Sequence, residues 1–364
     1  MKTNKHILKV KPYVGGKPIA EVRRAFGLKR VIKLASNENP FPPSPKVLKA
    51  ITSAVGDVNR YPDGSCYDLR QALARKHKVS PEQLVFGCGS DEIIVMALRA
   101  FSNEGDEVVM AKPSFMVYSI AATAAGARCV EVPLKGLDYD IAAMKRAVTP
   151  KTRLVFIGNP DNPAGTFSPR ADILAFMKGL SKDVLVFFDE AYFEFARDEK
   201  DYLDAMALLQ AYPNIIVART FSKLFGLAGL RIGYAVASPA VADILNRARE
   251  PFNVTSIAQA AALAALKDEA YYENILTILK HERAVLCAGL ERLGLSYSRG
   301  ATNFIQVRLA VSGADMALRL MKKGVIVRDM GSWGFKDQIR VTVGTPAENR
   351  KFLKVLKDNL QGDQ

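Results

Sequence analysis

The sequence is poor in the side chains that bind metals, and it has no segment built to cross a bilayer. Its 364 residues include only three histidines and four cysteines. Cys66, Cys88, Cys129 and Cys287 stand far apart, without a CxxC pair or a Cys/His ligand spacing. That pattern excludes a zinc site and a disulfide framework, so no metal is expected; it suits free thiols in a reducing cytoplasm. No run of 18 apolar residues occurs, which excludes a membrane-spanning helix. The basic start, Met1 to His6, is followed by no apolar h-region, so no signal peptide is expected. Internal repeats and low-complexity segments are also missing.

What remains is an ordinary globular composition, 49% apolar and 24% charged. The length predicts two or three domains with room for a large core. The net charge is +14, and residues 1–33 carry ten Lys/Arg against one acid, Glu21. Such a balance raises the question of a nucleic-acid partner. The later chain is mixed in sign and holds no RNP or zinc-finger pattern. A solvated basic arm plus a site for small anions explains the charge without nucleic acid or membrane.

Residues 1–35 read as that arm, broken by Pro12, Gly15, Gly16 and Pro18. Prolines 40, 42, 43 and 45 mark a boundary. From about 68 to 250, apolar strands alternate with helices, the strands falling at 84–86, 107–110, 128–132, 153–157, 184–188, 215–218 and 232–236. Continuous apolar strands between helices predict an α/β fold with a mainly parallel seven-stranded sheet covered on both faces. After 252 the texture changes to long helices, 256–266 and 269–293, then strands at 303–308, 325–328 and 338–343. This predicts a smaller α+β domain. The expected division is 1–38 for the arm and a segment joining the small domain, 39–252 for the large domain, and 253–364 for the small one.

Ligands on such sheets sit beyond the strand C-termini, which is where the polar punctuation of this chain falls. Gly87 to Glu92 joins a strand to a helix and offers free N–H groups with the Ser90 hydroxyl, an anion site. Phe115 follows a strand, where an aromatic can stack on a flat ring. Asn162 opens the second of two Asn-Pro steps within residues 159–163. Asp189 ends an apolar strand, where a poorly solvated carboxylate needs a cation such as a protonated pyridine; Tyr192 follows three residues later. Thr220, Ser222 and Lys223 end the strand at 215–218, and Arg231 comes soon after. A lysine there can form a Schiff base with an aldehyde, while hydroxyls and a guanidinium hold its phosphate. Arg328 and Arg340, on later strands, offer planar anion forks. Each of these residues alone also fits a bland role as a cap, core ring, loop residue or rim ion pair. Their succession at consecutive strand ends favours one site.

In this order, the residues resemble the fold-type-I pyridoxal-phosphate aminotransferases, in the branch that holds histidinol-phosphate aminotransferase. The resemblance runs from Lys11-Pro12-Tyr13 and the stretch Leu34 to Pro40, through Arg60-Tyr61-Pro62, Gly89 to Glu92, Asn162-Pro163 and Asp189 to Tyr192, to Ser222-Lys223 and Ile339 to Gly344. It implies pyridoxal 5′-phosphate as cofactor, with Lys223 as the Schiff-base lysine and proton carrier and Asp189 on the pyridine nitrogen. It places Asn162 and Tyr192 on the phenolate oxygen and Phe115 on the ring face. Ser90, the Asp91 backbone, Thr220, Ser222 and Arg231 would hold the phosphate. Tyr61 would reach a partner subunit's site, which implies a homodimer. Tyr13, Tyr61, Asn162, Arg328 and Arg340 would bind substrate. Cys88, Asp161 and Ala164 depart from the family's frequent Asn, Asn and Thr.

The implied reaction is exchange of an amino group between histidinol phosphate and 2-oxoglutarate, giving imidazole-acetol phosphate and glutamate, in the cytoplasm. A broad aromatic-amino-acid aminotransferase, or less readily a phosphothreonine decarboxylase, would keep the same cofactor set.

Overall fold

The computed structural model describes residues 1–12 and 15–361. Its strands are β1 (Ile32–Leu34), β2 (Leu84–Gly87), β3 (Glu107–Lys112), β4 (Arg128–Pro133), β5 (Thr152–Gly158) and β6 (Leu185–Asp189). They continue with β7 (Ile215–Thr220), β8 (Gly233–Ala237), β9 (Phe304–Arg308), β10 (Val325–Asp329) and β11 (Gln338–Thr342). A seven-stranded sheet runs in the order β2-β8-β7-β6-β5-β3-β4, and a four-stranded sheet in the order β1-β10-β11-β9.

The five strands from β7 to β4 are parallel, and β8 is antiparallel to both its neighbours. The cause lies in the connection. Segment 221–232 contains a 3-10 turn, Ala228–Leu230, and no crossover helix, so the chain returns beside β7 in the opposite sense. The central strands are buried on both faces. Leu154, Phe156, Leu185 and Phe187 pack into one apolar cluster, and Val155, Ile157, Val186 and Phe188 into another on the opposite face. Alternation with a period of two thus feeds two cores, which is why these strands read as unbroken apolar runs.

The front of the chain is more ordered than its prolines and glycines suggest. Ile19–Phe26 is a helix, closed by Gly27 in the left-handed region at φ 62°. β1 then pairs in parallel with β10, so residues 32–34 belong to the smaller sheet. A third cluster joins the two sheets, with Phe86, Leu224 and Tyr192 packed among the same residues as Phe304, Ile339 and Val341.

Behind the strand ends lies a buried ion pair. Arg219 Nη2 and Nε donate to Glu190 Oε2 at 2.8 and 3.0 Å, and the guanidinium lies 3.4 Å above the Phe193 ring. Both residues are almost fully buried. Arg219→Ala leaves the Glu190 charge without its partner and is expected to cost about 3–5 kcal/mol, measured as a lower urea midpoint. Burial already pushes the Glu190 carboxyl up to about 7. Without Arg219 it rises further, so the loss shrinks as pH falls and Glu190 takes a proton. A penalty equal at pH 5.5 and pH 8 would contradict this account.

Candidate active site

The C-terminal ends of β5, β6 and β7 open onto one cleft of about 210 Å³. The backbone register delivers its parts. Gly158 on β5 stands opposite Asp189 on β6, and Asp189 stands opposite Ala218 on β7. Two residues on, Thr220 pairs with Gly233 of β8. The cleft is lined by Ser90, Asp91, Phe115, Asn162, Asp189, Tyr192, Thr220, Ser222, Lys223 and Arg231, all singled out in the sequence.

One wall is an anion cup. The helix Ser90–Phe101 begins at Gly89 with no side chain capping it, so neither Ser90 nor Asp91 acts as the cap that a plain turn would use. Gly89 sits at φ 79°, and a Cβ on it would fall 2.4 Å from Arg231 Nη2. A Cβ on Gly233 would fall 2.5 Å from the Ser90 amide nitrogen. Glycine at these two positions lets the helix N-terminus, the β8 start and the Arg231 guanidinium converge. Thr220 Oγ1 accepts from the Ser222 amide at 3.1 Å, which fixes the turn that carries both hydroxyls. Arg231 itself has φ 52° and donates to Asp91 Oδ2 at 3.3 Å.

The floor is acidic. Asp189 is 6% exposed and accepts from the Tyr118 hydroxyl at 2.8 Å and from the Ala191 amide at 3.2 Å. Burial pushes its carboxyl up to about 6, against the hydrogen bond from Tyr118; nearby Asp91 adds to the rise, while the Ala191 amide and Lys223 oppose it. Among the described residues no cationic side chain bridges Asp189. A cationic ring N–H in the cleft would supply the missing partner. Tyr192 is buried, and its hydroxyl accepts from Asn37 Nδ2 at 2.9 Å, leaving its own proton to donate into the cleft. Lys223 Nζ lies 5.3 Å from the Tyr192 ring centroid.

The smaller sheet closes the other side. Arg340 on β11 donates through Nη1 to Asn162 Oδ1 and through Nη2 to Ala35 O at 3.2 Å. Arg328 stands in register with Arg340, and both guanidiniums flank Trp333, at 5.1 and 5.8 Å from its ring. Trp333 Nε1 donates at 3.1 Å to the carbonyl of Ser114, next to Phe115. Arg340 therefore reaches the cleft edge through Asn162, whereas Arg328 lies one strand away. Tyr61 is not brought to the cleft; it is 83% exposed and stacks on Phe252 at 4.8 Å. Tyr13 lies outside the described residues.

Sequence reasoning missed Tyr118, Asn37, Ser36, Glu38 and Trp333. Tyr118 lies three residues beyond Phe115, the extended residue that precedes helix Met116–Ala124, and the two rings meet edge to face at 5.6 Å; that spacing was the available signal. Asn37 carried none: it holds φ 56°, its backbone nitrogen donates to Thr342 Oγ1 and its carbonyl accepts from Asn303 Nδ2 on the smaller-sheet side, while its side chain donates to Tyr192 beside the large sheet. Trp333 is the one tryptophan of the chain.

Comparison with known proteins agrees with this geometry. Residues 29–356 match the family model described as aminotransferase class I and II. A curated histidinol-phosphate aminotransferase of Moorella thermoacetica is 45% identical over 360 residues, covering 99% of this chain and 93% of that protein. Its counterpart in Methylobacillus flagellatus is 44% identical, covering 98% and 96%. A crystal structure of histidinol-phosphate aminotransferase from Sinorhizobium meliloti in complex with pyridoxal-5′-phosphate superposes with a TM-score of 0.92 at 31% identity, covering 100% and 99%. With a family match that spans most of the chain and relatives that cover nearly all of it, this protein belongs to the class I and II aminotransferases.

Proposed function

We propose that the chain is a pyridoxal-phosphate-dependent histidinol-phosphate aminotransferase. The observation that carries the cofactor is Asp189, a buried carboxylate without a cationic side-chain partner among the described residues, facing a cleft that also holds Lys223 and an uncapped helix N-terminus. The substrate follows from full-length similarity to relatives of that name. When bound, pyridoxal phosphate supplies an aldehyde for an amine and a ring that accepts electrons from the substrate Cα.

The chain's own residues divide the remaining work. Lys223 Nζ would provide the amine for the aldehyde and a base and acid for the Cα proton. Asp189 would pair with the protonated pyridine nitrogen. Tyr192 and Asn162 would donate to the ring oxygen, and Phe115 would cover a ring face. Ser90, the Asp91 amide, Thr220, Ser222 and Arg231 would hold the phosphate. Arg340, steered by Asn162 and Ala35, and Arg328 with it, receive the substrate's anionic end, joined by Tyr13. Residues 39–252 form the cofactor-holding unit, while 1–38 and 253–364 make up the substrate-closing side.

The exposed apolar side chains Leu48, Val55, Val58, Tyr61, Tyr67 and Phe252 support a homodimer in which Tyr61 enters the partner's site. No helix among the described residues is long and apolar enough to cross a membrane.

The deciding experiment mixes the cofactor-loaded protein separately with histidinol phosphate, phenylalanine and phosphothreonine and follows loss of the yellow imine band. Fast loss with histidinol phosphate is expected. Fast loss with phenylalanine alone would assign the aromatic aminotransferase instead, and carbon dioxide released from phosphothreonine would assign the lyase. Gly89→Ala should weaken cofactor retention about tenfold or more, because its methyl displaces Arg231 and strains a left-handed position. The dissociation constant from a fluorescence titration checks it; an unchanged constant would remove Gly89 and Arg231 from the phosphate grip.

A further inference from the structure

Asp189 is not the only acid beneath the cleft. Asp161 is 2% exposed, and its Oδ1 accepts from the Tyr139 hydroxyl at 2.6 Å while Oδ2 accepts from the Ala164 amide at 3.2 Å. The two tyrosine–carboxylate pairs meet at one bare backbone position. A Cβ on Gly158 would sit 3.3 Å from the Tyr139 hydroxyl, 3.4 Å from the Tyr118 hydroxyl and 3.5 Å from Asp161 Cα. Gly158 in turn stands in register with Asp189, and the Asn159 amide donates to the Asp189 carbonyl at 2.9 Å. Two carboxylates and two phenols are therefore buried together at the cleft floor, with Asn162, a cleft residue, directly after Asp161.

We propose that Asp161 and Tyr139 form a second proton-holding pair of the cofactor site, setting the negative charge beneath the cofactor ring by acting through Tyr118 and Asp189. The proposal rests on the reading of the cleft as a pyridoxal-phosphate site. Asp189 adds to the burial-driven rise of Asp161, and the hydroxyls that bond the two carboxylates both approach Gly158; carboxylates that interact in this way do not ionise independently, so the protons belong to the cluster. The facing groups are Tyr139 from the segment before helix Ile141–Arg146, Tyr118 from helix Met116–Ala124, and Asp189 from β6. Lys223 and Asp91 bear on Asp189 from the cleft side. Ser114 also bonds Tyr139. Burial pushes Asp161 up to about 7, opposed by Tyr139 and two backbone amides and helped by Asp189. In the neutral pair the Asp161 carboxyl keeps its proton. In the ionised pair that proton has left to water, and Tyr139 donates to the carboxylate. Asp161 is a positioning residue here, since it lies outside the lining of the cleft.

The test is the absorbance-against-pH curve of the cofactor–lysine imine, recorded without substrate on the holoenzyme. The wild type should depart from a one-proton curve, with a shoulder from ionisation of the pair. Asp161→Asn should restore a one-proton curve. It should also lower the imine midpoint by about half a pH unit or more, because removing the second negative charge disfavours the protonated imine. Tyr139→Phe should move the shoulder to higher pH, since the lost hydrogen bond favoured the anion. It stands as the second variant if Asp161→Asn fails to fold by circular dichroism. Identical curves for wild type and Asp161→Asn, or a shoulder that moves down in Tyr139→Phe, would overturn the proposal. Absence of any imine band in the wild type would instead overturn the cofactor reading.

Discussion

Lys223→Ala lowers the rate of amino-group transfer by on the order of 10⁴-fold or more, because one substitution removes both the nucleophile and the general base. The side chain has no substitute in the cleft. The other cation lining it, Arg231, is engaged with Asp91 and with the Ala228 carbonyl. The phosphate cup does not depend on Lys223, so the variant should still retain pyridoxal phosphate, as the free aldehyde rather than the imine. Absorbance separates the two species, and stopped-flow assays with histidinol phosphate measure the turnover. A variant that kept full activity would sink the assignment of Lys223 and with it the proposed chemistry.

Asp189→Asn is the second large effect, a fall in turnover of about 10²- to 10³-fold. Asparagine keeps the shape and can still accept from Tyr118, so the loss reports charge rather than packing. The pH dependence gives an independent check. The Asp189 carboxyl is pushed up to about 6 by burial in the free protein. Pairing with a cationic ring needs the carboxylate form. Cofactor affinity in the wild type should therefore weaken as pH falls below about 6, by at most tenfold per pH unit, and hold steady above it. In Asp189→Asn that slope disappears. A variant with the wild-type slope would move the titrating group elsewhere.

How far these residues were legible depends on the kind of signal each carries. The central strands announced themselves through apolar runs, and the strand ends through the polar residues that interrupt them. Asp189 and Lys223 stood out because a charge directly after a buried strand is costly unless it has a purpose. Tyr118 gave no such contrast. An aromatic among the small residues of helix Met116–Ala124 reads as core, and its stack on Phe156 at 4.7 Å makes it core as well; only the third dimension turns its hydroxyl toward Asp189. Asn37 is legible only across the 305 positions that separate it from Thr342. β1 hid in a segment whose prolines and glycines suggested an arm, because three residues are too few for a periodicity to register.

The antiparallel return of β8 has a consequence for how this protein tolerates change in length. Thr220 and Gly233 are paired across β7 and β8, so the excursion between them is anchored at both ends. That closed span carries Ser222, Lys223 and Arg231, while Thr220 and Gly233 are its clasps. An added or deleted residue has no slack to run into. It would slide the lysine against the guanidinium, or slip the register and turn alternate β8 side chains to the wrong face of the sheet. The span is thus a fixed-length cassette: substitutions within it can be graded in effect, whereas insertions and deletions should be all-or-none.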